Sequence, residues 1–177
     1  MLIEFVVGTI VRQPDVDAIV NSANANLRFG SGVAGAIHSA AGPALEEYCR
    51  QFAPLAIGAA IITPGFALPN RFVIHTRAAS YINDEEPEAN LERAVCATLQ
   101  AAVEGGVKTL AMPAIGTGVF KFPPGLAAAI LLKTLLGQAD AHPSIALVRI
   151  CVADAQMEAV FEEQLQLVST DAIRERR

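Results

Sequence analysis

Val20-Asn-Ser-Ala-Asn-Ala-Asn-Leu-Arg-Phe-Gly-Ser-Gly-Val-Ala-Gly-Ala-Ile-His38 is the stretch whose reading decides the fold. Asp17-Ala-Ile-Val20, which leads into it, is a short apolar run with β-branched residues and is expected to form a buried strand. Asn21 to Gly32 crowds asparagines and glycines together and is expected to be loop throughout. From Val33 onward small residues begin a helix that ends near Ala41, before Gly42-Pro43. A strand, a glycine loop and a helix N-terminus in succession make an anion site, because exposed backbone N–H groups and the positive end of the helix dipole point the same way. Asparagines beside such a site can hydrogen-bond an uncharged group such as a sugar hydroxyl or a water.

A second loop of the same design follows later. Lys108-Thr-Leu-Ala-Met-Pro-Ala-Ile115 reads as a strand, Gly116-Thr-Gly-Val-Phe-Lys-Phe122 as its loop, and Pro123-Pro124 as a helix start. Two such loops can clasp two phosphates between them.

The rest of the chain alternates strand and helix. Strands are expected at Leu2–Val7, Gly58–Thr63, Arg71–Thr76 and Ile145–Val152. A short helix is expected over Ala44–Phe52. The clearest helix opens at Pro87, where Leu91, Ala94, Val95, Thr98, Leu99 and Ala102 fall on one face, and Gly105-Gly106 stops it. Further helices run over Gly125–Leu136 and, capped by Asp154, to about Leu165. Near-continuous apolar strands between helices indicate an α/β fold: a three-layer α/β/α sandwich around a mixed, mostly parallel sheet. One domain over residues 1–167 is expected, with 168–177 as a frayed, charged tail.

Composition agrees with one packed domain: 177 residues, 53% hydrophobic and 18% charged. A net charge of −5 argues against nucleic-acid binding through a basic face. It does not oppose binding one anion through backbone N–H groups. Cys49, Cys96 and Cys151 are far apart and form no CxxC, so neither a disulfide framework nor a zinc site is expected, and a reducing, cytoplasmic location fits. Met1 to Val7 lacks the basic start of a signal peptide. The most apolar window, Leu126 to Leu136, is interrupted by Lys133 and is too short to span a bilayer, so no membrane role is expected.

Common catalytic signatures fail on context. Gly30-x-Gly32-x-x-Gly35 spells a dinucleotide fingerprint, but the loop before it is too long and no acid stands between Arg50 and Leu55. There is no GxxxxGK[ST], HExxH or GxSxG. For either glycine loop alone a tight turn is the plainer reading; two at matching strand ends favour a ligand site. His38 and His75 each read first as core histidines, and Cys49 and Cys96 as small apolar packers. Phe120 serves equally as a wall for a sugar or as core.

The arrangement resembles the macro domain, the ADP-ribose-binding α/β/α module, over roughly Leu2 to Leu165. Asp17-Ala-Ile-Val-Asn-Ser-Ala-Asn24 is similar to the family's DAIVNAAN. Gly30-Ser-Gly-Val-Ala-Gly-Ala-Ile37 is similar to GGGVxGAI, with Ser31 for a glycine, and Pro113-Ala-Ile-Gly-Thr-Gly-Val-Phe120 to PAxSxGxY/F. The resemblance implies a ligand site of Thr9, Ile10, Asn21, Asn24, Gly30, Ser31, Gly32, Val33, Gly116, Thr117, Gly118, Val119 and Phe120. Glycine-loop N–H groups would wrap the diphosphate, Asn24 would bond the distal ribose hydroxyls, and Phe120 would pack on that ribose. Asn24 and His38 are the implied catalytic residues. Two departures stand out: Thr9 replaces the Asp that takes the adenine amino group, and Ala34 replaces an Asp implicated in catalysis in the MacroD class. Viral macro domains share GVAGA at that place.

The resemblance implies ADP-ribose or an ADP-ribosylated macromolecule as partner, no cofactor and no metal. It implies hydrolysis of ADP-ribose from acidic side chains or of related ADP-ribose esters. A non-catalytic reader of ADP-ribose, and a binder of another nucleotide diphosphate, are the alternatives.

Overall fold

The computed structural model describes the backbone of residues 1–175 and the side chains of residues 1–170. The strands are β1 (Leu2–Val7), β2 (Ala18–Ser22), β3 (Ala60–Pro64), β4 (Phe72–Thr76), β5 (Thr109–Pro113) and β6 (Leu147–Val152). They form one sheet in the order β1-β6-β5-β2-β4-β3. Every neighbouring pair is parallel except β3 with β4. The helices are α1 (Gly32–Ala41), α2 (Pro43–Cys49), α3 (Pro87–Glu104), α4 (Pro124–Gln138) and α5 (Ala155–Glu175). This is the expected three-layer sandwich with a mixed, mostly parallel sheet.

The central strand β2 shows why. Ala18, Ile19 and Val20 are all fully buried, on opposite faces in turn. Ala18 and Val20 join the core formed with Leu91 and Leu99 of α3, Leu131 of α4 and Phe161 of α5. Ile19 joins the core on the other face, with Ile37 of α1 and Leu45 and Cys49 of α2. Each large side chain so buried contributes about 1.5–3 kcal/mol, which makes both helical layers obligatory. Asp17 fixes the base of the strand: its Oδ2 accepts the N–H groups of Lys108 at 2.9 Å and Thr109 at 3.1 Å. Partial burial pushes its carboxyl up, but these donors outweigh that and hold it below the usual range.

Several boundaries differ from expectation. β2 runs on through Asn21 and Ser22, which pair with His75 and Thr76 of β4. The asparagine loop therefore begins after Ser22. α2 ends at Cys49, and Arg50–Phe52 continue as a 3₁₀ turn. α5 is longer than expected and remains helical through Glu175, including most of the stretch read as a frayed tail. Arg176 and Arg177 lie outside the described residues. Asp154 caps α5 as expected, its Oδ1 accepting the Met157 N–H at 2.9 Å. No helix among the described residues is long and apolar enough to cross a membrane.

Candidate functional site

Parallel strands leave a crevice beyond their C-terminal ends, where the chain turns away to opposite layers. Here the crevice is a cleft of about 370 Å³. Gly8–Ile10 follow β1, Ser22 ends β2, Pro113–Phe120 end and follow β5, and Cys151–Ala153 end β6. Ser31, Gly32, Val33 and Ala36 bring the N-terminus of α1 to the same space.

The first glycine loop is shaped by Asn24. Its Oδ1 accepts the N–H groups of Asn26 at 3.1 Å and Arg28 at 3.2 Å, and its Nδ2 donates to the Arg28 carbonyl at 2.8 Å. This closed ring makes a turn out of Asn24–Arg28. The loop then lies directly on α1: a Cβ on Gly35 would sit 2.3 Å from the Gly30 carbonyl oxygen. Only glycine permits that approach.

The second loop is braced more heavily. Gly116 has φ +95°, and its carbonyl accepts the Phe122 N–H at 2.9 Å. The Phe122 side chain is buried beneath the loop and packs on Tyr81, ring centroids 5.0 Å apart. The Tyr81 N–H donates to the Phe120 carbonyl at 2.7 Å, and Thr117 Oγ1 donates to the Ala114 carbonyl at 2.8 Å.

These constraints leave donors over. The N–H groups of Gly32, Val33, Gly118, Val119 and Phe120 find no hydrogen-bond partner among the described residues. They belong to residues that line the cleft. The first turn of a helix cannot satisfy its own N–H groups, and α1 adds its dipole. The lining contains no carboxylate, histidine, lysine or arginine. Its one titratable side chain, Cys151, has its thiol pushed up to about 11 by burial. The cleft is therefore electropositive through backbone alone. It is suited to a multiply charged anion such as a diphosphate, with apolar walls for the groups attached to it.

Of the residues named from sequence, Thr9, Ile10, Ser31, Gly32, Val33, Gly116, Thr117, Gly118, Val119 and Phe120 line the cleft together. Gly30 lies on α1 beside the Asn24 amide. Asn24 is outside the lining; its ring of hydrogen bonds leaves one amide N–H free.

Two expected residues are elsewhere. Asn21 is buried in β2, on the same face as Ile19, and its Nδ2 donates to His75 Nδ1 at 3.1 Å. His38 is buried on α1, with its ring edge-on to Phe29 and 6.3 Å from His75. Neither His38 nitrogen has a hydrogen-bond partner among the described residues. Burial holds its pKa below the usual value, against the pull of the Glu46 carboxylate. His75 completes this cluster, within reach of Thr63 Oγ1 at 3.1 Å and Cys49 Sγ at 3.6 Å. Burial pushes its pKa down to about 3, so it is neutral. His75 is the satisfied core histidine it was expected to be, and Cys49 packs beside it.

Gly8, Ser22, Ala36 and Cys151–Ala153 also line the cleft and were not named from sequence. No group of His, Cys, Asp and Glu among the described residues could hold a metal ion.

A sequence model of the family described as "Macro domain" matches residues 20–131. An O-acetyl-ADP-ribose deacetylase of Enterobacter sp. (strain 638) is 45% identical, over 75% of this chain and 76% of its own length. The ADP-ribose glycohydrolase MACROD1 of Bos taurus is 38% identical, over 85% of this chain and 47% of its own. The Oceanobacillus iheyensis macrodomain solved with ADP superposes with a TM-score of 0.89 at 32% identity, covering 96% of this chain and 92% of that one. Sheet order, paired glycine loops and these similarities agree: the chain belongs to the macro domain family.

Proposed function

We propose that the chain binds ADP-ribose in the cleft and hydrolyses the ester that joins ADP-ribose to an acidic side chain, or a related ADP-ribose ester. The observation that carries the reading is the set of unpartnered N–H groups on both glycine loops, converging on a cleft without a cationic side chain. A diphosphate satisfies many such donors at once. The relatives named as a deacetylase and a glycohydrolase support a hydrolytic activity.

In this reading the adenosine end lies against Thr9, Ile10 and the Cys151–Ala153 wall. The diphosphate spans α1 and the second loop, and the distal ribose rests against Phe120. Asn24 uses its remaining N–H to orient that ribose. His38 acts through packing under Phe29, not as a base. Three free cysteines fit a reducing compartment, and we place the activity in the cytoplasm.

The lack of a side-chain acid or base in the lining has a chemical consequence. For an acidic side chain esterified at the anomeric carbon of the distal ribose, water attacks that carbon, the bond from it to the acyl oxygen breaks, and the leaving group is a carboxylate. With an ordinary pKa of about 4 it departs as the anion and needs no general acid. The water's proton passes to a phosphate oxygen or to solvent. Positioning and electrostatic stabilisation then carry the rate. The same lack favours a second reading, a non-catalytic ADP-ribose reader.

The test is incubation with a mono-ADP-ribosylated acceptor linked through Glu or Asp, beside one linked through Arg. Release from the ester faster than with a Gly118→Glu variant, and slower release from the arginine linkage, supports the hydrolase. Tight binding without release from either supports the reader.

A further inference from the structure

The two halves of the first glycine loop are held very differently. Asn24–Arg28 is closed on itself by the Asn24 amide. It is also anchored outward: the Leu27 side chain is buried, and the Leu55 N–H donates to the Ala25 carbonyl at 2.8 Å. Phe29–Gly32, which carries the loop into the cleft, has, besides one hydrogen bond to α2, only side-chain and backbone contacts with α1 and Asn24. Phe29 is 60% exposed, so apolar burial does not fix it. Its N–H donates to Glu46 Oε2 of α2 at 2.8 Å. Among the described residues this is the one hydrogen bond from Phe29–Gly32 to any element other than α1.

We infer that Glu46 is a positioning residue for the cleft: it tethers Phe29, and so sets the height at which the Gly32 and Val33 N–H groups meet the ligand. The contact with α1 alone cannot do this. Gly30 sits against Gly35 and near Ala34 and Asn24, and the Phe29 ring meets His38 edge-on, but none of these contacts holds the Phe29 backbone N–H. The Glu46 carboxylate fixes that backbone position from α2. A carboxylate suits the task because a charged acceptor makes a stronger hydrogen bond to a backbone N–H than a neutral one. The next residue, Glu47, plays no part; it pairs with Arg50 at 2.8 Å in solvent.

The inference rests on the ADP-ribose reading in one respect: the loop faces the distal half of that ligand. Loosening the loop should therefore weaken ADP-ribose and spare AMP, which lacks the distal ribose and second phosphate.

The experiment compares the parent with Glu46→Ala, Glu46→Gln and Glu47→Ala. Two quantities are read: hydrogen exchange of the Phe29 amide in the free chain, and the Kd values of ADP-ribose and AMP. In Glu46→Ala, Phe29 exchange should speed up and the ADP-ribose Kd should rise about tenfold, with the AMP Kd within about twofold of the parent. Glu46→Gln keeps an acceptor and should restore most of both; Glu47→Ala should match the parent. Unchanged Phe29 exchange in Glu46→Ala overturns the tether, whatever the ligand. Equal weakening of both ligands, with no recovery in Glu46→Gln, overturns the positioning role in favour of general damage. Failure of the parent to bind ADP-ribose overturns the ligand reading instead, and Phe29 exchange then decides the tether alone.

Discussion

Helix α1 separates two polar regions built on opposite plans. On one side is the cleft, whose polarity comes from backbone N–H groups with no titratable side chain but Cys151. On the other is the mostly buried cluster of Asn21, His38, Cys49, Thr63 and His75, rich in side chains of catalytic type, with His38 bordering a second hollow beside Phe29, Glu46 and Arg50. The region that looks reactive is mostly buried; the region suited to a ligand looks blank. Residue type alone is thus a poor guide to where chemistry sits. Accessibility and unsatisfied donors are better ones.

The largest expected effect breaks the cleft side. Gly118 has room for a side chain, since a Cβ there meets nothing within 4 Å, and its φ is not in the left-handed region. Gly118→Glu should fold normally, place a carboxylate among the anion donors, and weaken ADP-ribose at least about a hundredfold by calorimetry, or roughly 3 kcal/mol. Gly32→Glu should also lose binding, with a cost in stability because its φ is +59°.

Acid separates the two regions in one experiment. The folded pKa of His75 is depressed from 6.5 to about 3, so below pH 6.5 the unfolded chain binds a proton that the folded chain refuses. The stabilisation tied to neutral His75 is fully present above 6.5 and is lost as pH falls toward 3. The slope approaches about 1.4 kcal/mol per pH unit for one histidine, and His38 adds to it in the same direction. Denaturant melts between about pH 4.5 and 7 should show this loss. ADP-ribose affinity over the part of that range where the chain stays folded should change by less than about twofold, because no lining group titrates there. A binding curve that follows a pKa near 6 would place a histidine in the cleft.

A smaller effect is expected at His38. Both nitrogens lack partners, so replacing the ring with a buried apolar side chain removes an unmet polar demand. His38→Leu should keep the melting temperature within a few degrees and ADP-ribose affinity within about threefold. A loss of turnover of a hundredfold or more at unchanged affinity would return His38 to the catalytic list.

What the sequence made legible follows from what leaves a local signal. The α3 stripe from Leu91 to Ala102 is buried residue for residue, because its apolar positions recur at helical spacing over three turns. The glycine loops were legible because glycine and asparagine clusters exclude regular structure. α1 was not orientable: Ala34, Gly35, Ile37, His38 and Ala41 are buried while Val33 and Ala36 face the cleft. Small apolar residues all round give no contrast to fix a face. Asn21 was misread by extending the loop into β2; the two-residue period shared with Ile19 would have turned it inward. No motif names the residues of the Cys151–Ala153 wall; the rule that ligands gather at the carboxyl ends of parallel strands points to its place.

The smallest effect sharpens the comparison at the rim. Thr9 is exposed at the cleft, and its side chain makes no capping hydrogen bond. Thr9→Asp supplies a charged acceptor there and should tighten ADP-ribose by about fivefold, roughly 1 kcal/mol, and sharpen discrimination against guanine and uracil analogues. Unchanged affinity and base preference would mean that Thr9 does not face the base.

The central claim is that backbone donors on two glycine loops form one site for a dinucleotide-like diphosphate. Calorimetric titration of the parent chain with ADP-ribose and with AMP tests it most directly. One site per chain is expected, with ADP-ribose tighter than AMP by at least about tenfold, since AMP reaches only part of the donor set. No ADP-ribose binding, or equal affinity for AMP, would contradict it.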